Sequence, residues 1–448
     1  MSFPRYPVYK DSGVEWLGAV PGHWEVVRLR FTAAINPSKT ELATWNRETL
    51  VSFLPMDAVG DDGTLRLDTE KPLSDVENGY TYFRNGDVTF AKITPCYENG
   101  KGALMQGLCN GVGFGTTELT VVRPHDSRLD GRYLHFVFIS NQFRRLGEAQ
   151  MYGAGGQKRV PDSFVRDFRT AFPPLPEQQA IAAFLDRETA RIDALVAEQE
   201  RLIELLREKR QAVISHAVTK GLDPSVPMKD SGVEWLGMVP GHWDVVALKR
   251  VATVQTGVAK GKDNEGKQTT IVPYLRVANV QDGYLDLEEV ATIEIPVNDL
   301  ERYLLRSGDV LMNEGGDFDK LGRGHVWRGE IARCIHQNHV FAVRPRAVDP
   351  DWLNWFTGAA PSQFYFMTQS KQSTNLASIS SSNLMELPLL VPSGEEQNEI
   401  CLFLDRETTQ IDNLIAEANR AITLLQERRS ALISAAVTGQ IDVRGLPS

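Results

Sequence analysis

A chain of 448 residues with 42 % hydrophobic and 24 % charged residues has the make-up of a soluble globular protein of about three domains. No apolar run nears the ~20 residues of a membrane-spanning helix. The four cysteines (Cys96, Cys109, Cys334, Cys401) form no C-x-x-C pair, and the opening MSFPRYPVYKDSG lacks an export signal, so a reducing cytoplasm is expected. The net charge of −10 argues against a uniformly basic nucleic-acid binder but leaves room for a local basic groove.

In chain order, residues 10–27 (KDSGVEWLGAVPGHWEVV) come first, and they return at 229–246 with 16 of 18 positions identical. A variable stretch, 28–172, follows. It holds Gly86-Asp87-Val88, Gly100-Lys101-Gly102 and Val122-Arg123-Pro124, short β-rich runs between turn residues. A helix is predicted over 131–148, then a polar loop, GAGGQKRV. Three prolines (Pro173, Pro174, Pro176) precede a long helical pattern over 177–219. Its seam runs Leu185, Glu188, Ile192, Leu195, Gln199, Leu202, Leu206, Lys209, Val213, a heptad spacing with polar interruptions.

The second variable stretch, 247–391, repeats the framework with Gly308-Asp309-Val310, Gly322-Arg323-Gly324 and Val343-Arg344-Pro345. A helix is predicted at 350–368, followed by the polar loop QSTNLASISSSN. EQNEICLFLDRETTQID (396–412) then matches EQQAIAAFLDRETARID (177–193) at 11 of 17 positions. The second seam is Leu404, Glu407, Ile411, Leu414, Ala418, Ala421, Leu425, Arg428, Leu432. Gly221 and Gly439 stand where helix stops are expected.

This is a tandem duplication of two constant pieces around one variable piece. A narrow apolar stripe must be buried, and the matching stripe is its own duplicate. Pairing about a local two-fold axis makes the helices antiparallel. Each is ~63 Å long at 1.5 Å per residue. The expected fold class is α+β, with two similar α/β domains separated by two long helices in an antiparallel coiled coil. The expected boundaries are 1–172 and 222–391 for the domains and 173–221 and 392–440 for the helices.

Catalytic chemistry is not legible. There is no amino-methyltransferase N/D-P-P-Y/F tetrapeptide and no Gly-rich cofactor turn. Gly261 to Lys267 has phosphate-loop spacing, but Gln268 stands where Ser or Thr must meet magnesium. His336 and His339 lack a third ligand nearby in sequence, so no metal is expected.

The chain resembles the specificity subunits of type I restriction-modification systems over essentially its whole length. The resemblance rests on KDSGVEWLGAVPGHW, PPLPEQQAIAAFLD and the duplicated architecture, with GDVTFAKITPCYENGKGA (86–103), GDVLMNEGGDFDKLGRGHVW (308–327) and IHQNHVFAVRP (335–345). It implies two target-recognition domains, each reading half of a split double-stranded DNA sequence. It implies a non-catalytic chain on which two methyltransferase subunits assemble and, for cleavage, two restriction/translocase subunits. No cofactor is expected here; S-adenosylmethionine, ATP and Mg belong to those partners. Two rival readings are a scaffold with two protein-binding domains and the recognition subunit of a methyltransferase–nuclease fusion system.

On that reading, cations in loops position DNA and amides read base edges. The first-domain candidates are Lys92, Asn99, Lys101, Gln157, Lys158 and Arg159. The second-domain candidates are Asn313, Lys320, Arg323, Arg328, Gln337, Asn338 and Lys371. Lys101 and Arg323 stand out for a phosphate role, because charge between two glycines recurs in both domains.

Overall fold

The structure, a computed structural model, describes residues 3–261, 265–316, 321–372 and 377–445. It divides into two compact units: Met1–Gln199 with Arg420–Ser448, and Glu200–Asn419. Both long helices, Leu175–Lys220 and Gly394–Val437, therefore run through both units.

The first unit is built on an antiparallel four-stranded sheet in the order Ala33–Ile35, Leu119–Pro124, Val88–Ala91, Gly102–Leu104. Helix Gly131–Ile139 packs on it, its Tyr133, Leu134, Phe136, Val137 and Phe138 joining Val88, Phe90 and Val122 in one core. A second sheet runs Glu70–Pro72, Leu50–Leu54, Val112–Gly115, Thr81–Arg84. The variable stretch is closed at its base where Glu25–Arg28 pairs with Arg169–Phe172.

The second unit repeats this plan. Its four-stranded sheet runs Ala252–Thr256, Val340–Pro345, Val310–Asn313, Gly324–Val326. A second sheet has three strands, Ala291–Pro296, Thr269–Leu275 and Ile335–His336. Asp244–Ala247 pairs with Pro388–Val391 at the base.

The repeated Gly-Asp-Val and Val-Arg-Pro triplets prove to be two halves of one contact. Buried Asp87 accepts from Arg123 Nε (2.7 Å) and Nη2 (2.8 Å) across neighbouring strands, and from the backbone N of Arg84 (2.9 Å). Asp309 accepts from Arg344 Nε and Nη2, both at 2.7 Å, and from the backbone N of Arg306 (2.8 Å). Gly86 and Gly308 precede these aspartates at φ 90° and 92°, where a β-carbon is strained. A buried carboxylate is tolerable because its oxygens are filled by a charged fork and a backbone donor.

The helices predicted over 131–148 and 350–368 are each broken in two. The first splits into Gly131–Ile139 and Asn141–Ala149, the second into Pro350–Gly358 and Ala360–Gln369. Ser140 is extended (ψ 146°) and its hydroxyl caps the next helix by accepting from Phe143 N. Ala359 is extended (ψ 152°), with Pro361 in the first turn of the helix that follows.

The long helices pack antiparallel in each unit. In the first, Ile181, Ala182, Phe184 and Leu185 share a core with Leu432, Ile433, Ala436 and Val437, and Arg429 Nε lies 2.9 Å from Asp193 Oδ1. In the second, Ile214, Ala217 and Val218 share a core with Ile400, Cys401 and Leu404, and Arg210 Nε lies 3.2 Å from Asp412 Oδ1.

The seam differs from its sequence reading at most of its alternate positions. Leu185, Ile192, Leu206, Leu404, Ile411, Ala418 and Leu432 are buried, and Val213 and Leu425 half-buried, as expected of seam residues. The alternate positions slip by one. Leu195, Leu202 and Leu414 are exposed (40, 43 and 49 %), whereas Val196 and Ile415 are half-buried and Ile203 is only 6 % exposed. The buried Thr189 and Thr408 replace Glu188 and Glu407, their hydroxyls donating to Leu185 O and Leu404 O at 2.7 Å. Spacings of three-then-four and four-then-three are both heptads. Where Leu and a β-branched residue are adjacent, the spacing cannot choose; the ion pairs of Arg210 and Arg429, rather than Lys209 and Arg428, go with the second choice.

Candidate nucleic-acid interface

The constant pieces hold the variable ones in place. Glu177, at the start of the first long helix, reaches back to the N-terminal repeat. Its Oε1 accepts from Trp24 Nε1 (3.0 Å) and Tyr6 OH (2.7 Å), and its Oε2 lies 2.7 Å from His23 Nε2. Burial, and secondarily the bond to Glu177, push the Tyr6 hydroxyl far above its ordinary pKa. Gln178 accepts from Asp130 N (2.9 Å) and donates to Pro173 O (2.8 Å) and Arg128 O (2.9 Å). In the second unit Gln397 does the same, accepting from Asp349 N (2.8 Å) and donating to Pro392 O (2.9 Å). Glu396 meets His242 at 2.8 Å, but buried Trp243 Nε1 has no hydrogen-bond partner among the described residues. The repeated Glu-Gln and Gly-His-Trp motifs are thus a clamp between helix and domain.

On this frame, several first-unit candidates converge. Lys92 lies where the sheet strand ends: its N bonds Glu118 O, and its O accepts from Val160 N, both at 2.8 Å. Thr94 N donates to Lys158 O (3.0 Å), Lys158 N to Thr94 Oγ1 (3.0 Å), and Thr94 Oγ1 to Gly156 O (2.7 Å). This stitches the GAGGQKRV loop to the segment carrying Lys92 and the exposed Asn99. Gln157 and Lys158 project from the loop, exposed.

Two first-unit candidates are engaged internally. Lys101 Nζ donates to Met56 O and Val59 O, both at 3.1 Å. Arg159 forms a fork with Glu118, Nε at 2.9 Å and Nη2 at 2.7 Å, and this bond holds the Glu118 carboxyl below its usual range. The charge at Lys101 thus ties its own loop to the turn that follows strand Leu50–Leu54.

The second unit is more dispersed. Asn313 is buried at 1 % exposure, its amide donating to Val280 O at 2.8 Å; it pins a neighbouring turn and is not on the surface. Reading it as an exposed reader missed that the residue after a hydrophobic strand can point inward. Arg328 pairs with Asp351. Arg323 is half-buried, its O accepting from Asn313 N. Gln337 and Asn338 are half-buried at the sheet end, with Gln337 N bonded to Leu275 O (2.8 Å). Lys371 is exposed on a short hairpin strand. Lys320 lies outside the described residues.

Of the two histidines weighed as metal ligands, His336 is buried with Nδ1 at 2.7 Å from Val340 O, and burial holds its pKa down. His339 Nδ1 lies 2.7 Å from Glu314 Oε2. Among the described residues no group of three or more His, Cys, Asp or Glu is placed to hold a metal. No helix of the described residues is long and apolar enough to cross a membrane.

Tyr152 was missed. It is 64 % exposed and closes the GAGGQK loop by exchanging backbone bonds with Arg159. An aromatic beside a glycine-rich run was the available signal. The second unit repeats the stem, Lys371 and Gln372 pairing with Ser378 and Ala377.

Residues 240–423 match a family described as the type I restriction modification DNA specificity domain. The match covers less than half of the chain, and over that region the chain is similar to the type I restriction-modification specificity subunits. Among curated proteins, it is similar to the type I restriction enzyme EcoAI specificity subunit of Escherichia coli, 42 % identical over 188 residues, or 42 % of this chain. The match spans 31 % of that relative, less than a third of its length. Among solved structures, one from work on complex assembly and conformational transition of the type I R-M system gives a TM-score of 0.74 at 20 % identity, covering 93 % of this chain and 98 % of that one. The HsdS subunit from Thermoanaerobacter tengcongensis gives 0.56 at 19 % identity, covering 94 % and 98 %. At these identities both are likenesses of fold.

Proposed function

We propose that this chain is the non-catalytic DNA-reading subunit of a type I system, each unit recognising one half of an asymmetric, bipartite double-stranded target. Two methyltransferase subunits, and two restriction/translocase subunits where cleavage occurs, assemble with it and bring S-adenosylmethionine, ATP and Mg. The carrying observation is one frame holding two different sequences. The Asp87–Arg123 and Asp309–Arg344 pairs and the Glu-Gln clamps recur, while GAGGQK and QSTNLA share no residue pattern. A repeated scaffold with altered loop sequences suits two readers of different half-sites.

Mapping methylated adenines in cells with and without the gene tests this. The expected motif is split, with unlike halves and a constant gap. A palindromic motif, or none that depends on the gene, would refute the proposal. Gel shifts with the methyltransferase present separate it from a protein-binding scaffold.

A further inference from the structure

Resting on that reading, we propose that the first unit reads a base pair through Gln157, at the tip of the hairpin closed by Tyr152 and Arg159. The hairpin has a fixed backbone, and its tip side chains are exposed. Tyr152 N donates to Arg159 O (3.1 Å) and Arg159 N to Tyr152 O (2.8 Å). The Arg159–Glu118 fork and the three Thr94 bonds fasten the same stem to the sheet. The return of the chain needs Gly153, because a β-carbon there would lie 2.3 Å from Gln157 O. Gly155 and Gly156 turn the tip at φ 63° and 78°, and a β-carbon on either would meet nothing within 4 Å. Residues 152–158 are all exposed.

Such a ribbon suits a major groove, which admits two antiparallel strands in its ~12 Å width. Three glycines keep the tip slim and let the backbone approach closely. Of the tip side chains in 153–158, only Gln157 and Lys158 carry functional groups beyond a methyl. The flanking cations are committed elsewhere: Arg159 to Glu118, and Lys101 to two carbonyls. Gln157 offers a donor and an acceptor in one plane, the pattern that pairs with adenine N7 and the N6 amino group. Lys158 offers a point charge, suited to phosphate. The amide selects and the ammonium positions.

The test uses the chain with its methyltransferase, read by methylation of a library randomised at each position of the motif. Gln157→Ala should lose discrimination at one base pair of one half-site by roughly ten- to a hundredfold, leaving the other half-site intact. Lys158→Ala should weaken binding to cognate and random DNA alike and lower the salt slope by about one. An unchanged motif with Gln157→Ala, or a uniform loss at both half-sites, overturns the proposal. If the parent complex itself yields no split motif, the reading of the chain as a recognition subunit falls instead. The tip is exposed, so the variant should keep the parent's melting temperature, which separates loss of reading from loss of fold.

Discussion

The two clamps form an internal control, because the same glutamate is differently loaded. Glu177→Ala removes the acceptor for two buried donors, Trp24 Nε1 and Tyr6 OH, and the neighbour of His23. Each buried donor left unpaired costs ~1–3 kcal/mol, so the substitution should cost about 3–5 kcal/mol. Glu396→Ala removes only the contact to His242, whose side chain is 49 % exposed. An exposed pair contributes ~0–1 kcal/mol. Hydrogen exchange across residues 15–27 and 234–246 reads both sites in one molecule. The first segment should lose protection by roughly a hundred- to several-thousandfold in Glu177→Ala, and the second by well under tenfold in Glu396→Ala. Glu177→Gln should fall between, since its amide oxygen still accepts from Trp24 and Tyr6. Equal losses at the two sites, or a Glu177→Ala cost below about 1 kcal/mol, would refute the reasoning.

Ile203→Ala should cost about 2–4 kcal/mol by urea unfolding and Leu202→Ala under ~1, the reverse of what the sequence seam implies. Asp309→Asn should cost about 3 kcal/mol, since it leaves the partly buried Arg344 without its carboxylate, and Asp87→Asn should cost less, because Arg123 keeps Glu41 at 3.0 Å; thermal melts check this. His135, at a cavity wall, has its pKa pushed down to about 4, by burial first and Arg429 second. It stays neutral when folded and charges when unfolded below ~6.5, so stability is full above that pH and falls as pH drops toward 4. The loss is up to about 3 kcal/mol, and a His135→Gln variant should flatten the profile of unfolding free energy against pH. One heptad inserted into both long helices adds ~10 Å, roughly 3 base-pair steps, and should widen the gap in the methylated motif without changing its halves.

The duplication, the long helices and the strand triplets were legible because they recur, and recurrence is visible without coordinates. The predicted helix over 177–219 lies within Leu175–Lys220. What repeated motifs do was not legible: Gly-Asp-Val and Val-Arg-Pro lie far apart in sequence, and only strand pairing brings Asp87 to Arg123. The seam slipped because periodicity ranks Leu195 and Val196 alike, and only the facing helix decides. Lys101 read as a free cation because its partners are backbone carbonyls, which carry no residue signature. Asn313 read as a surface amide for the same reason.

The two units differ in how they can be completed on a ribosome. The second is one run, 200–419; the first needs 1–199 and also 420–448. Leu432, Ile433, Ala436 and Val437 fill a core with Trp24, Tyr133 and Leu185, and Tyr133 OH donates to Val437 O at 3.3 Å. At ~5–20 residues per second, the intervening 220 residues take roughly 10–45 s to emerge. The half that is synthesised first is therefore finished last, and for that interval it presents an open aromatic face to solvent or to a chaperone. A chain interrupted near 419 would keep a complete second unit beside a first unit lacking its plug, so premature termination would yield an aggregating product rather than a half-active one.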